Sequence, residues 1–99
     1  MSDWYILEGH TPVYEPDLMK AARWFETADR IVAKTTIGTA RVSTVFLGLD
    51  HGENGEKHLF ETMIFNGDRD DYQTRCATWE QAEKMHADAV EYVMRERQP

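Results

Sequence analysis

Four runs rich in β-branched and aromatic residues follow one another in the middle of the chain: RIVAKT at 30–35, RVSTVFLG at 41–48, LFETMIF at 59–65 and YQTRCA at 72–77. Runs of this composition read as strands. The links between them, TIGTA at 36–40, LDHGENGEKH at 49–58 and NGDRDD at 66–71, are turn-like and too short for a crossover helix. Each strand must therefore return beside the one before it, which restricts the chain to an antiparallel sheet. The Asn-Gly pair at 66–67 is a strong local hairpin signal.

Helical periodicity brackets this block. WYILE at 4–8 predicts a first strand, and GHTPVYEP at 9–16 reads as a connector because Pro12 and Pro16 bias the residues before them away from the helical region. A helix is expected from near Asp17 to near Asp29, with Leu18, Ala21, Ala22 and Phe25 on one face and Trp24 beside it. A second helix is expected through residue 96. Thr78 and Gln81 have the spacing of a capping box, and Trp79, Ala82, Met85 or His86, Ala89 and Val93 recur at helical intervals. Trp24 and Trp79 are expected as core anchors, one on each helix.

The predicted order is β-α-β-β-β-β-α: an α+β fold with an antiparallel sheet of four to five strands and two amphipathic helices, most simply on one sheet face. The 99 residues make a single domain, 1–99, with 41% hydrophobic residues and eleven aromatics among them.

Both faces of the central strands are apolar. In LFETMIF, Leu59, Glu61, Met63 and Phe65 alternate with Phe60, Thr62 and Ile64. In the preceding strand Val42, Thr44 and Phe46 oppose Val45 and Leu47. Two helices on one face leave the other uncovered, so a homo-oligomer burying it is expected.

Charge narrows the partners. Eighteen acids against eleven bases give a net charge of −7. No basic patch interrupts that balance, so direct nucleic-acid binding is not expected. No apolar run approaches the roughly 18 residues of a membrane helix, and no basic-then-apolar leader opens the chain. With Cys76 the single cysteine, a reducing cytosol is expected.

Five separated blocks, WYILEGHTPV, ARWFETADR, VSTVFLGLDH, LFETMIF and TWEQAEKMH, resemble in this order a family of small proteins from bacteriophage and prophage genomes. The resemblance covers nearly the whole chain. It implies a genomic setting, with action in the cytosol of the host cell, and no particular chemistry. The chain departs from the family at GENGEKH, residues 52–58, where relatives carry a Gly- and Pro-rich stretch.

Motifs for catalysis or metal binding are lacking. His10, His51 and His58 with Asp50, Glu53 and Glu56 supply ligand types without the short fixed spacings of a zinc site or the order of a calcium loop. No metal and no cofactor are expected. Ser43 has no G-x-S-x-G around it, and Cys76 lies near a helix start without any catalytic motif. His10 suits a local hydrogen bond in its connector, and His86 a satisfied position at the core edge.

Glu61 is the most informative polar residue, because a carboxylate in an apolar strand needs a partner. Pairing with Arg41 or Arg75 of a neighbouring strand is the simplest outcome. A ligand-binding floor built from Ser43, Thr44, Glu61, Thr62, Thr74 and Arg75, with Asp50 and His51 at its rim, is the functional one. The sequence thus points to a non-enzymatic phage accessory protein. It would sequester a small, nucleotide-like ligand or inhibit a host protein, for example in counter-defence. The alternatives are a small hydrolase using Glu61 with His51 or His10, and a structural phage component.

Overall fold

The structure, a computed structural model, describes residues 3–67 and 71–97. Its elements are β1 (Tyr5–Glu8), β2 (Thr11–Tyr14), α1 (Leu18–Thr27), β3 (Ile31–Ile37), β4 (Ala40–Phe46), β5 (Phe60–Phe65), β6 (Gln73–Cys76) and α2 (Trp79–Glu96). This is the expected α+β fold with one further strand. Asn66 opens the β5–β6 link with φ +60°, while 68–70, the middle of the expected hairpin turn, lie outside the described residues.

Strands β3 to β6 form an antiparallel meander in that spatial order. Val42 stands opposite Ile64, Thr44 opposite Thr62, and Phe46 opposite Phe60. Thr62 in turn stands opposite Thr74. Since side chains alternate along a strand, all of these share one face, the inner one. Helix α2 packs across it and touches all four strands. Beneath the helix Val42, Phe46, Phe60 and Ile64 are at most 1% exposed. Each such burial contributes about 1.5–3 kcal/mol before the entropy of ordering is subtracted.

The start of α2 follows from its sequence. The Thr78 hydroxyl accepts the Gln81 N–H at 3.1 Å, and Gln81 Oε1 accepts the Thr78 N–H at 3.2 Å. This is the expected capping box. Downstream, Ala82, His86, Ala89 and Val93 form the buried stripe, and its two alanines let the helix lie close to the sheet.

β1 and β2 pair only with each other. Segment 9–16, expected as a connector, is therefore half strand. Gly9, at φ +62°, suits the first turn position of a type II′ hairpin. Pro12 faces Leu7, one step from the closing pair Glu8–Thr11. Alternate pairs in an antiparallel ladder exchange no hydrogen bonds, so the missing N–H of Pro12 costs nothing there. The hairpin is tied to the end of the sheet, where the Tyr5 N–H donates to the Gly48 carbonyl at 2.7 Å.

Helix α1 is capped by Asp17, whose carboxylate accepts the Met19 and Lys20 N–H groups. Its apolar stripe is only partly buried: Ala21 is 1% exposed, Leu18 62%. The cause is its location. Rather than joining α2 on the sheet face, α1 packs chiefly against β1. Trp24 and Phe25 close the end of the core against Phe46. Phe25 fills the space that a Cβ on Gly48 would take, and Gly48 holds φ +81°.

Among the described residues, no helix packs across the outer sheet face, although Glu61 on that face is buried at 9% exposure. Val45 and Met63 are half-buried there, while Ile31 and Phe65 are exposed. No helix among the described residues is long and apolar enough to cross a membrane.

Candidate functional site

The polar residues of β4–β6 divide between the two faces. On the inner face Thr44 Oγ1 lies 2.5 Å from Thr62 Oγ1 and 2.8 Å from His86 Nδ1, and His86 Nε2 lies 2.8 Å from Thr35 Oγ1. This layer separates two apolar clusters, one around Phe46, Phe60 and Ala82, the other around Val42, Ile64 and Ala89. A neutral imidazole has one donor and one acceptor. If Nδ1–H donates to Thr44, then Thr44 donates to Thr62 and Thr35 donates to Nε2. If Nε2–H donates to Thr35, the chain runs the other way. Either direction satisfies His86, Thr35 and Thr44. Burial pushes the His86 pKa below its usual value. Thr74 Oγ1, opposite Thr62 in the ladder, is buried without a partner.

On the outer face Glu61 Oε2 accepts Arg75 Nε–H at 2.9 Å and also the side-chain amide of Gln73. The pair with Arg75 is one of the two partners the sequence suggests. β5 and β6 create it directly, since Glu61 stands opposite Arg75. Beside the pair, the 49–58 loop closes one side of an open cleft of about 590 Å³. His51, Glu53, Asn54, Glu56 and His58 line the loop side, and Gln73 and Arg75 line the strand side.

Asp50 shapes the loop. Its Oδ1 accepts the N–H groups of Gly52 at 2.8 Å and His58 at 3.0 Å. Burial works to raise its pKa, but these two hydrogen bonds and the nearby Lys57 and His58 charges outweigh it, leaving the carboxyl below its usual value. A Cβ on Gly52 would overlap the Glu56 carbonyl, so the loop needs glycine there.

The expected floor is therefore corrected. Of its members, Glu61 and Arg75 come together on the outer face, with His51 across the cleft. Ser43 also points outward, opposite Met63 and Lys34. Thr44, Thr62 and Thr74 are on the inner face beneath α2, because strand residues one apart project to opposite sides. Glu53, Asn54, Glu56, His58 and Gln73 complete the cleft and were not in the expected floor. Gln73 is legible in principle, two residues from Arg75 and so on its face.

Elsewhere, His10 stacks on Trp79 with ring centroids 3.7 Å apart, so the connector histidine covers a core tryptophan. Cys76 donates weakly to the Thr78 carbonyl, and burial raises its thiol pKa, opposite to what a nucleophile needs. Among the described residues, no three His, Cys, Asp or Glu side chains converge to hold a metal ion. The chain matches no family model, no curated protein and no solved structure.

Proposed function

We propose that this is a small phage or prophage accessory protein of the host cytosol that acts by binding. It holds a small polar, nucleotide-like ligand in the cleft between the 49–58 loop and β6. The observation that carries this reading is the pairing of a fixed cation with an open polar cleft. Glu61, itself bonded by the Gln73 amide, holds Arg75 in place, and the cleft offers acidic and imidazole side chains opposite it. A guanidinium suits a phosphate or carboxylate, and carboxylates suit ribose hydroxyls or amino groups. Sequestration needs no water-free chamber, whereas most turnover chemistry relies on one.

Isothermal titration calorimetry with a set of nucleoside monophosphates and cyclic dinucleotides tests the reading. Saturable binding that Arg75→Ala weakens at least about tenfold, a loss of about 1.4 kcal/mol, is the expected result. Binding untouched by Arg75→Ala, or none across the set, counts against it.

A further inference from the structure

The outer side of the molecule carries a second surface, distinct from the cleft. At the end of the sheet Trp4, Leu18, Ala21, Phe25 and Leu47 line an apolar groove of about 370 Å³, with Arg30 also in its wall. Leu47 extends the ladder of β4, since its N–H donates to the Leu59 carbonyl at 2.7 Å. Alternation puts it on the side of Val45 and Ser43. The groove thus runs onto the outer sheet face, where Val45 and Met63 are half-buried and Ile31 is 48% exposed. Leu18, at the groove's wall, is 62% exposed. Contiguous exposed apolar surface of this kind marks an interaction site.

Charge selects the occupant. The chain as a whole carries −7. Yet among the described residues the outward strand positions hold Lys34, Arg41 and Arg75 against one acid, Glu61. That acid is already engaged by Arg75 and Gln73. Arg41 lies over Phe65, 5.5 Å from the ring centroid, and Arg30 lies over Phe25 at 4.9 Å. A second copy docked face to face would bring together two surfaces that each carry an excess of positive charge, a repulsive arrangement. A four-stranded face of this length also offers only about 20 by 20 Å, or roughly 400 Å² per partner. Stable interfaces bury about 800 Å² on each side.

We propose that the groove and the adjoining sheet face bind an acidic amphipathic segment of another protein. Its large apolar side chains enter the groove, and its carboxylates lie over Arg30, Lys34 and Arg41. The apolar anchors supply affinity, and the charges supply orientation and rate of encounter.

Selection of a random displayed peptide library on the immobilised protein is the test. Enriched sequences should combine Asp or Glu with Leu, Ile, Phe or Trp. By fluorescence polarisation the best synthetic peptide should bind about tenfold or more weakly to the Lys34→Glu/Arg41→Glu variant and to Leu18→Asp. Binding should also weaken with added salt. All three substitutions are at exposed positions, and unchanged melting curves verify that the variants fold. Three outcomes overturn the proposal: no enrichment, enriched peptides without acids, or a winner that binds the charge-reversed variant undiminished. Light scattering that shows a dimer dissolved by Leu18→Asp would assign the surface to a second copy and overturn it as well.

Discussion

Glu61 and Thr62 are neighbours in β5, yet they serve opposite faces of one sheet. Thr62 lies under α2 and bonds Thr44, which in turn bonds His86. Glu61 lies outside, held by Arg75 and Gln73 beside an open cleft. The inner face is apolar with a neutral polar stripe, and the outer face is mixed, charged and without a helix across it. The difference shows which polar residues of a strand can meet a ligand. Parity decides it, and residue type does not.

The contrast breaks most visibly on truncation of aromatic side chains. Phe46→Ala on the inner face should cost about 3–5 kcal/mol, because Phe46 is fully buried beneath the helix. Phe65→Ala, at 38% exposure on the outer face, should cost less than about 1 kcal/mol. Urea unfolding of the two variants measures both, and equal losses would abolish the distinction between the faces.

The next effect belongs to the buried layer. His86→Ala should cost about 2–4 kcal/mol, since it opens a cavity, removes the imidazole partner of the Thr35 hydroxyl and leaves Thr44 with Thr62 alone. The layer also carries a pH signature. With the His86 pKa lowered by burial from 6.5, the folded chain binds this proton less readily than the unfolded chain. Its contribution is therefore complete above the unfolded pKa and is lost as pH falls through the lowered folded one. Thermal melts between about pH 7.5 and pH 5.5 should show a steeper loss for the wild type than for His86→Gln. Parallel slopes would mean that His86 is not the titrating group.

The smallest effect on stability belongs to the outer pair. Replacing both partners together, Glu61→Gln/Arg75→Gln, should cost no more than about 1 kcal/mol, since the Arg75 side chain is 32% exposed and no carboxylate is left at Glu61, whose side chain is 11% exposed. A much larger loss would give the pair a structural role and weaken the case for a ligand there.

Much of this fold is legible in the sequence, for reasons tied to particular residues. Short links dictated the antiparallel meander, and Thr78 with Gln81 placed the start of α2. Alternation in LFETMIF already separates Glu61 from Thr62. What the strand pattern does not carry is pairing between strands. Whether Ser43 or Thr44 joins Glu61 depends on the β4–β5 ladder, which local sequence leaves open. β2 is hidden because Pro12 reads as a breaker, and only its place in the hairpin makes it harmless. For α1 the amphipathic stripe is visible but its destination is not, so Leu18 reads as core and is exposed.

The threonine–histidine layer also bears on how the chain settles on one structure. The buried stripe of α2 is small and apolar on both sides of His86, with Ala82 before it and Ala89 after it. Slid by one turn along the sheet, the helix would still find seats for its alanines. Only His86 can complete the hydroxyls of Thr35 and Thr44. Any displaced docking would break both of these bonds, leaving Thr44 with Thr62 alone and Thr35 without its imidazole partner, at about 0.5–1.5 kcal/mol per hydrogen bond lost. The layer thus acts as a keyway. Its net contribution to stability is modest, but it widens the gap between the native seating of the helix and its closest rivals.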